Sequence, residues 1–98
     1  MERKIVWNKR PSSFLKNALK RINEESYLQA ERVEEGILSA LEKAKENPER
    51  YPKDKFKRNN QGDFRAIETF SYRVAYRYTE KELRVLRIRH VKQEPKKY

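Results

Sequence analysis

The chain has 98 residues, enough for one modest core and too few for a second, so a single domain over residues 1–98 is expected. Its 25 Lys and Arg against 15 Asp and Glu give a formal net charge of +10, the footprint of a protein with a polyanionic or acidic partner. Cysteine is absent, histidine occurs once and glycine twice, which argues against a disulfide framework, a thiolate or histidine metal centre, a P-loop and a dinucleotide fingerprint; no metal and no cofactor is expected.

The opening MERKIVWNKR is charged from its second residue and has only three apolar residues in a row. It resembles neither a secretory leader nor a membrane span, so a cytoplasmic protein without membrane attachment is expected. Residues 3–7, RKIVW, read as a short strand, and Pro11 with Ser12 and Ser13 supplies a helix start. Leu15, Ala18, Leu19 and Ile22 recur at helical spacing, with Lys16, Lys20 and Arg21 facing away. Ser26 followed by Gln29 has the form of a capping box. A second helix then keeps Ala30, Val33, Ile37, Leu41 and Ala44 on one stripe, tolerates Gly36 at some cost and stops at Asn47-Pro48. Two helices joined by a short turn make an antiparallel hairpin.

Residues 48–62, PERYPKDKFKRNNQG, have no period and read as a loop. Its Lys53, Lys55, Lys57 and Arg58 are candidates for contact with a phosphate backbone, with a solvated basic loop as the alternative. From Asp63 the period becomes two. FRAIETF at 64–70, YRVAYRYT at 72–79 and LRVLRIRH at 83–90 give three strands in an antiparallel meander, connected through Ser71 and Glu80-Lys81-Glu82. The fold expected is α+β, in the order β-α-α-β-β-β, with both helices packed on one face of the sheet.

In the middle strand Tyr72, Val74, Tyr76 and Tyr78 share one parity, and Arg73, Ala75 and Arg77 share the other. The helices should cover the tyrosine face and leave Arg73 and Arg77 open. Arg87 and Arg89 of the last strand would join them, with Arg65 from the strand before, if that strand runs in the matching parity. In the opposite parity Arg84 and His90 join instead, unless a bulge brings both sets round. Guanidinium groups on a rigid sheet match phosphate geometry, whereas pairing with Glu68, Glu80 or Glu82 would make the same arginines structural.

Metal-free RNA cleavage needs a base, an acid and cations for the phosphorane. Histidine is the side chain whose ordinary titration falls near neutrality, which makes His90 the candidate acid or base. Tyr98 is a second proton donor or a stacking platform, and Glu68 an alternative base.

A short strand ending in Trp, a basic helical hairpin and then FRAIETFSYRVAYRYTEKELRVLRIRHVKQEPKKY resemble the RelE/ParE superfamily of toxins from bacterial type II toxin-antitoxin modules. The resemblance spans essentially the whole chain and is sharpest in YRVAYRY, the acidic turn and LRVLRIRH. It implies the β-α-α-β-β-β fold and a cognate antitoxin that wraps and neutralises the toxin. It also implies one of two activities. RelE-like members cut mRNA on the ribosome, which would make Arg73 the phosphate-stabilising residue, with His90 and Tyr98 as acid, base or stacking groups. ParE-like members inhibit DNA gyrase without known chemistry of their own. Arg65 and Glu68 stand where RelE has a lysine pair, while Glu68, Arg73, His90 and Tyr98 match the residue types of YoeB-like relatives. The expectation drawn is a ribosome-dependent mRNA endonuclease, with gyrase inhibition and a non-catalytic basic nucleic-acid-binding domain as alternatives.

Overall fold

The computed structural model describes residues 2–93 and 96–98. Its elements are β1 (Lys4–Trp7), α1 (Lys9–Glu25), α2 (Tyr27–Glu46), a 3-10 turn (Pro48–Arg50), β2 (Phe64–Thr69), β3 (Tyr72–Tyr78) and β4 (Glu82–His90). This is the expected order, in a single four-stranded sheet arranged β1-β4-β3-β2. β1 pairs with β4 in parallel, and the two remaining pairings are antiparallel. A parallel pair needs a long crossover, and here the helical hairpin lies within it and covers one sheet face.

α1 begins at Lys9 rather than at the serines. Pro11 falls in its first turn, where a backbone N–H has no intrahelical partner to lose. Between the helices, Ser26 accepts from the Gln29 N–H at 3.1 Å, the N-cap bond that its spacing predicted. Leu15 and Ala18 of α1 join Val33, Ile37, Ala40, Leu41 and Ala44 of α2 against Ile67, Val74, Tyr76, Leu83, Val85 and Ile88 of the sheet. Tyr76 is completely buried, and its hydroxyl donates to the Pro48 carbonyl at 2.6 Å. Burial pushes its pKa above the ordinary tyrosine value.

β2 stops at Thr69, because Phe70 and Ser71 form a two-residue hairpin turn with φ of 48° and 71°. Positive φ at both centres is what a turn matching the sheet twist requires. Gly36 is more than tolerated: a Cβ there would collide with the Phe70 ring. Among the described residues no helix is long and apolar enough to cross a membrane.

The feature that sets the functional face is a register shift in β4. Ala75 pairs with Arg87, yet the next residue, Tyr76, pairs with Val85, so Leu86 is the extra residue of a bulge. Leu83 and Val85 before it, and Ile88 after it, all turn toward the helices and are buried. Arg84, Arg87 and Arg89 consequently share the open face with Arg73 and Arg77. Without the bulge, one group or the other would point into the core.

Candidate functional site

The open face is cationic, and it is roofed. Residues 52–54 run along the outer edge of β2: Asp54 N–H donates to the Phe64 carbonyl at 2.9 Å, and Ala66 N–H to the Pro52 carbonyl at 3.1 Å. Asn60 ties the next turn together, its amide nitrogen donating to the Phe64 carbonyl at 2.8 Å and its oxygen accepting from the Gly62 N–H at 2.8 Å. The loop expected over 48–62 is therefore built rather than merely solvated. Its partner is the segment containing Tyr98, whose N–H donates to the Phe56 carbonyl at 2.9 Å while its own carbonyl accepts from the Arg58 N–H at 2.6 Å.

At the centre lies Asp54, 2% exposed. Its Oδ1 accepts from Arg73 Nη2 at 2.8 Å and from the Phe56 N–H at 3.0 Å, and its Oδ2 from the Tyr98 hydroxyl at 2.6 Å. Burial works against the charged carboxylate, but the bonds from Tyr98, Arg73 and Phe56 outweigh it and hold its pKa below the usual carboxylate value. Burial and then the Asp54 hydrogen bond push the Tyr98 hydroxyl above the ordinary tyrosine value. Arg73 donates a second bond, at 2.8 Å, to Glu68, whose side chain is 57% exposed. Its guanidinium also lies over the Phe56 ring, 4.9 Å from the centroid. The central arginine is thus held by two carboxylates and an aromatic face.

The other arginines divide. Arg77 pairs with Asp63 and Arg84 with Glu82, each at 2.8 Å. Arg87 lies over Tyr98 at 4.5 Å and Arg89 over Phe56 at 5.4 Å, and among the described residues neither has a carboxylate partner. Burial, then the nearby Arg73 and more weakly Arg87, lower the pKa of Arg89 below the ordinary arginine value. In the loop, Lys57 lies 4.7 Å from the Phe64 centroid, Lys55 lies 5.3 Å from that of Phe56, and Lys53 and Arg58 are exposed.

Of the residues singled out in the sequence, Glu68, Arg73, Tyr98, Arg87 and Arg89 come together on this face. Two do not. His90 pairs with Tyr72, which is on the helix side, and its ring meets the Tyr72 ring edge-on at 5.4 Å. Its Nδ1 accepts from the Lys92 N–H at 3.1 Å. Arg65 pairs with Tyr76 and also faces the helices, its guanidinium spent on the carbonyls of Gly62 at 2.8 Å and Tyr51 at 3.0 Å. The expectation that Arg65 joins the arginine face is corrected, because β2 parity sends Phe64, Ala66 and Glu68 there instead.

Asp54 and Phe56 were not legible as site residues from the sequence. The one signal is Asp54 itself, the single acid in KDKFKR.

A model of the family described as ParE toxin of type II toxin-antitoxin system, parDE, matches residues 5–95. The search of curated proteins finds no match. The chain belongs to the ParE toxin family, and is the toxin half of a type II module whose other half is its cognate antitoxin.

Proposed function

We propose that this ParE-family toxin arrests growth by inhibiting DNA gyrase, performing no bond cleavage itself. The observation that carries the reading is the separation of His90 from Arg73. They lie on opposite faces of the sheet, so the one side-chain type that ordinarily titrates near neutrality is not beside the arginine that would stabilise a phosphorane. Two further features agree. Arg73 is engaged by Asp54 and Glu68, and the Tyr98 proton is tightly held by Asp54. The description of the matched family, which names parDE, points the same way.

Ribosome-dependent mRNA cleavage is the second reading. It is favoured by the convergence of Glu68, Arg73 and Tyr98 on one network, in which Tyr98 would be the proton donor and Arg73 the phosphate-stabilising group. The partner would then be the translating ribosome with its mRNA.

The test runs both assays on one preparation. A gyrase inhibitor blocks supercoiling of relaxed plasmid and leaves mRNA in a translation extract intact by primer extension. An mRNA endonuclease gives new 5′ ends only under translation and leaves supercoiling unaffected. Substitution separates them again: His90→Ala should retain toxicity if gyrase is the target. Intact supercoiling together with ribosome-dependent cuts would overturn the proposal.

A further inference from the structure

The cover over the open face leaves a crevice of about 70 Å³, lined by Phe56, Arg73, Arg87, Arg89, Lys96 and Tyr98, with Asp54 at its base. It is far smaller than the roughly 300–1,000 Å³ of a small-molecule pocket, so what enters it is a group of a few atoms. The sign of that group follows from the lining. Among the described residues Asp54 is the only carboxylate lining the crevice, and its charge is committed to Arg73 at 2.8 Å. Arg73 also donates Nη1 to Glu68 at 2.8 Å, so it faces two carboxylates.

Arg87 and Arg89 differ from Arg73. Arg87 donates Nη1 to the Lys96 carbonyl at 3.0 Å, and Arg89 donates Nη1 to the Gln93 carbonyl at 2.9 Å. These bonds use one nitrogen of each guanidinium and no opposing charge, so they fix the direction of each fork without neutralising it. The Tyr98 ring lies 4.5 Å from the Arg87 guanidinium and the Phe56 ring 5.4 Å from that of Arg89, aromatic contacts that leave the charge in place. Two oriented, partly desolvated forks suit a tetrahedral oxyanion, whose oxygens accept several parallel N–H bonds.

We propose that this crevice binds a single phosphate group, gripped by Arg87 and Arg89 of β4 with Lys96 at the rim. The middle-strand Arg73 acts only as the neutralised wall behind it. Free phosphate and a phosphodiester in a nucleic-acid backbone share the chemistry required. Phosphate binding here does not depend on which target the toxin attacks.

The test is fluorescence anisotropy of a labelled 12-nucleotide single-stranded DNA with the full chain, over a range of KCl, with a single-stranded RNA of the same length alongside. Arg87→Gln/Arg89→Gln should weaken binding at least tenfold and reduce the salt slope by about 0.7 for each phosphate that the variant no longer engages. Lys16→Gln/Lys20→Gln removes the same charge from α1 and should leave binding within twofold. Equal losses in both double variants would reduce the effect to bulk charge and overturn the site, as would an unchanged Arg87→Gln/Arg89→Gln protein.

Because both arginines also hold the segment after β4, the unsubstituted protein provides an arm that needs no variant. Titration with inorganic phosphate should shift the Arg87 and Arg89 Nε–H signals and the Phe56 and Tyr98 amides in an NMR spectrum. Shifts centred on α1, or none with either phosphate or the oligonucleotides, would overturn the proposal. Shifts at the site with phosphate alone assign a free anion; shifts there with an oligonucleotide assign a backbone phosphate, and DNA against RNA identifies which.

Discussion

Substituting Arg73 by alanine separates a structural role from a functional one. Loss of the guanidinium leaves Asp54, 2% exposed, with only the Phe56 N–H and the Tyr98 hydroxyl to hold its charge. Breaking a buried pair by removing one partner costs about 3–5 kcal/mol. Two surviving hydrogen bonds put this case near the lower end, so about 3 kcal/mol is expected. In a small domain whose whole stability is about 5–15 kcal/mol, that is a large fraction. At about 4–8 °C per kcal/mol, the melting temperature should fall by roughly 12–24 °C. Glu68 provides the contrast. Its carboxylate is largely exposed, so Glu68→Gln should cost no more than about 1 kcal/mol. Urea denaturation of Arg73→Ala, Asp54→Ala and the double variant measures the coupling, which should exceed about 1.5 kcal/mol for a charged hydrogen-bonded pair. A folded Arg73→Ala protein within about 1 kcal/mol of the parent, the worth of an exposed pair, would refute the reasoning. Loss of toxicity in such a protein would make Arg73 a functional arginine that the fold does not need.

Acid unfolding should report Asp54: its folded pKa is depressed, so its contribution is complete above the unfolded value near about 3.9 and is lost as pH falls through the folded one. Asp54→Asn should therefore flatten the pH dependence of stability below about pH 4, measured by urea titration. Tyr98 has the opposite sign. Its raised pKa contributes stability below about pH 10 that disappears at higher pH, and Tyr98→Phe should remove part of that alkaline loss. Gly36→Ala, which in an open helix would gain about 1 kcal/mol, should instead destabilise the chain by driving into Phe70, and the gain should return in a Phe70→Ala background. Equal effects in both backgrounds would dismiss the contact. Tyr76→Phe should cost about 1–3 kcal/mol with an unchanged denaturant slope, because the buried Pro48 carbonyl loses its donor.

The helical hairpin and the β2–β3–β4 meander were legible because their signals are local: a stripe of period 3.6, a capping serine and alternation in YRVAYRY. The bulge was half legible. In LRVLRIRH, the triplet LRV and the run RIRH alternate out of phase about Leu86, and one extra residue lets both put arginine on the open face. Local pattern could say that the phase breaks, but not whether His90 then follows the arginines or the core. That depends on β4 pairing with Tyr72, a contact between residues far apart in the chain. The roof was hardly legible, since Asp54 is one acid in a basic run and its role exists only where Arg73 and Tyr98 meet it in space. The parallel place of β1 beside β4 was not stated by any local pattern.

The roof follows from the bulge. Five arginines on one sheet face repel one another, and the strands' own carboxylates reach only two of them, Glu68 at Arg73 and Glu82 at Arg84. Asp63 takes Arg77, and the 51–62 segment with the segment holding Tyr98 adds a buried carboxylate, two aromatic faces and a set of backbone carbonyls. These are not equivalent. A carboxylate cancels a charge, whereas a carbonyl or a ring orients one and leaves it in place. Arg73, Arg77 and Arg84 received carboxylates, while among the described residues Arg87 and Arg89 received only carbonyls and rings. The charge that folding needed to neutralise is therefore on β3 and at the start of β4, and the charge available to a partner is at the end of β4. Counting the arginines of this face without their partners would choose the wrong one as its centre.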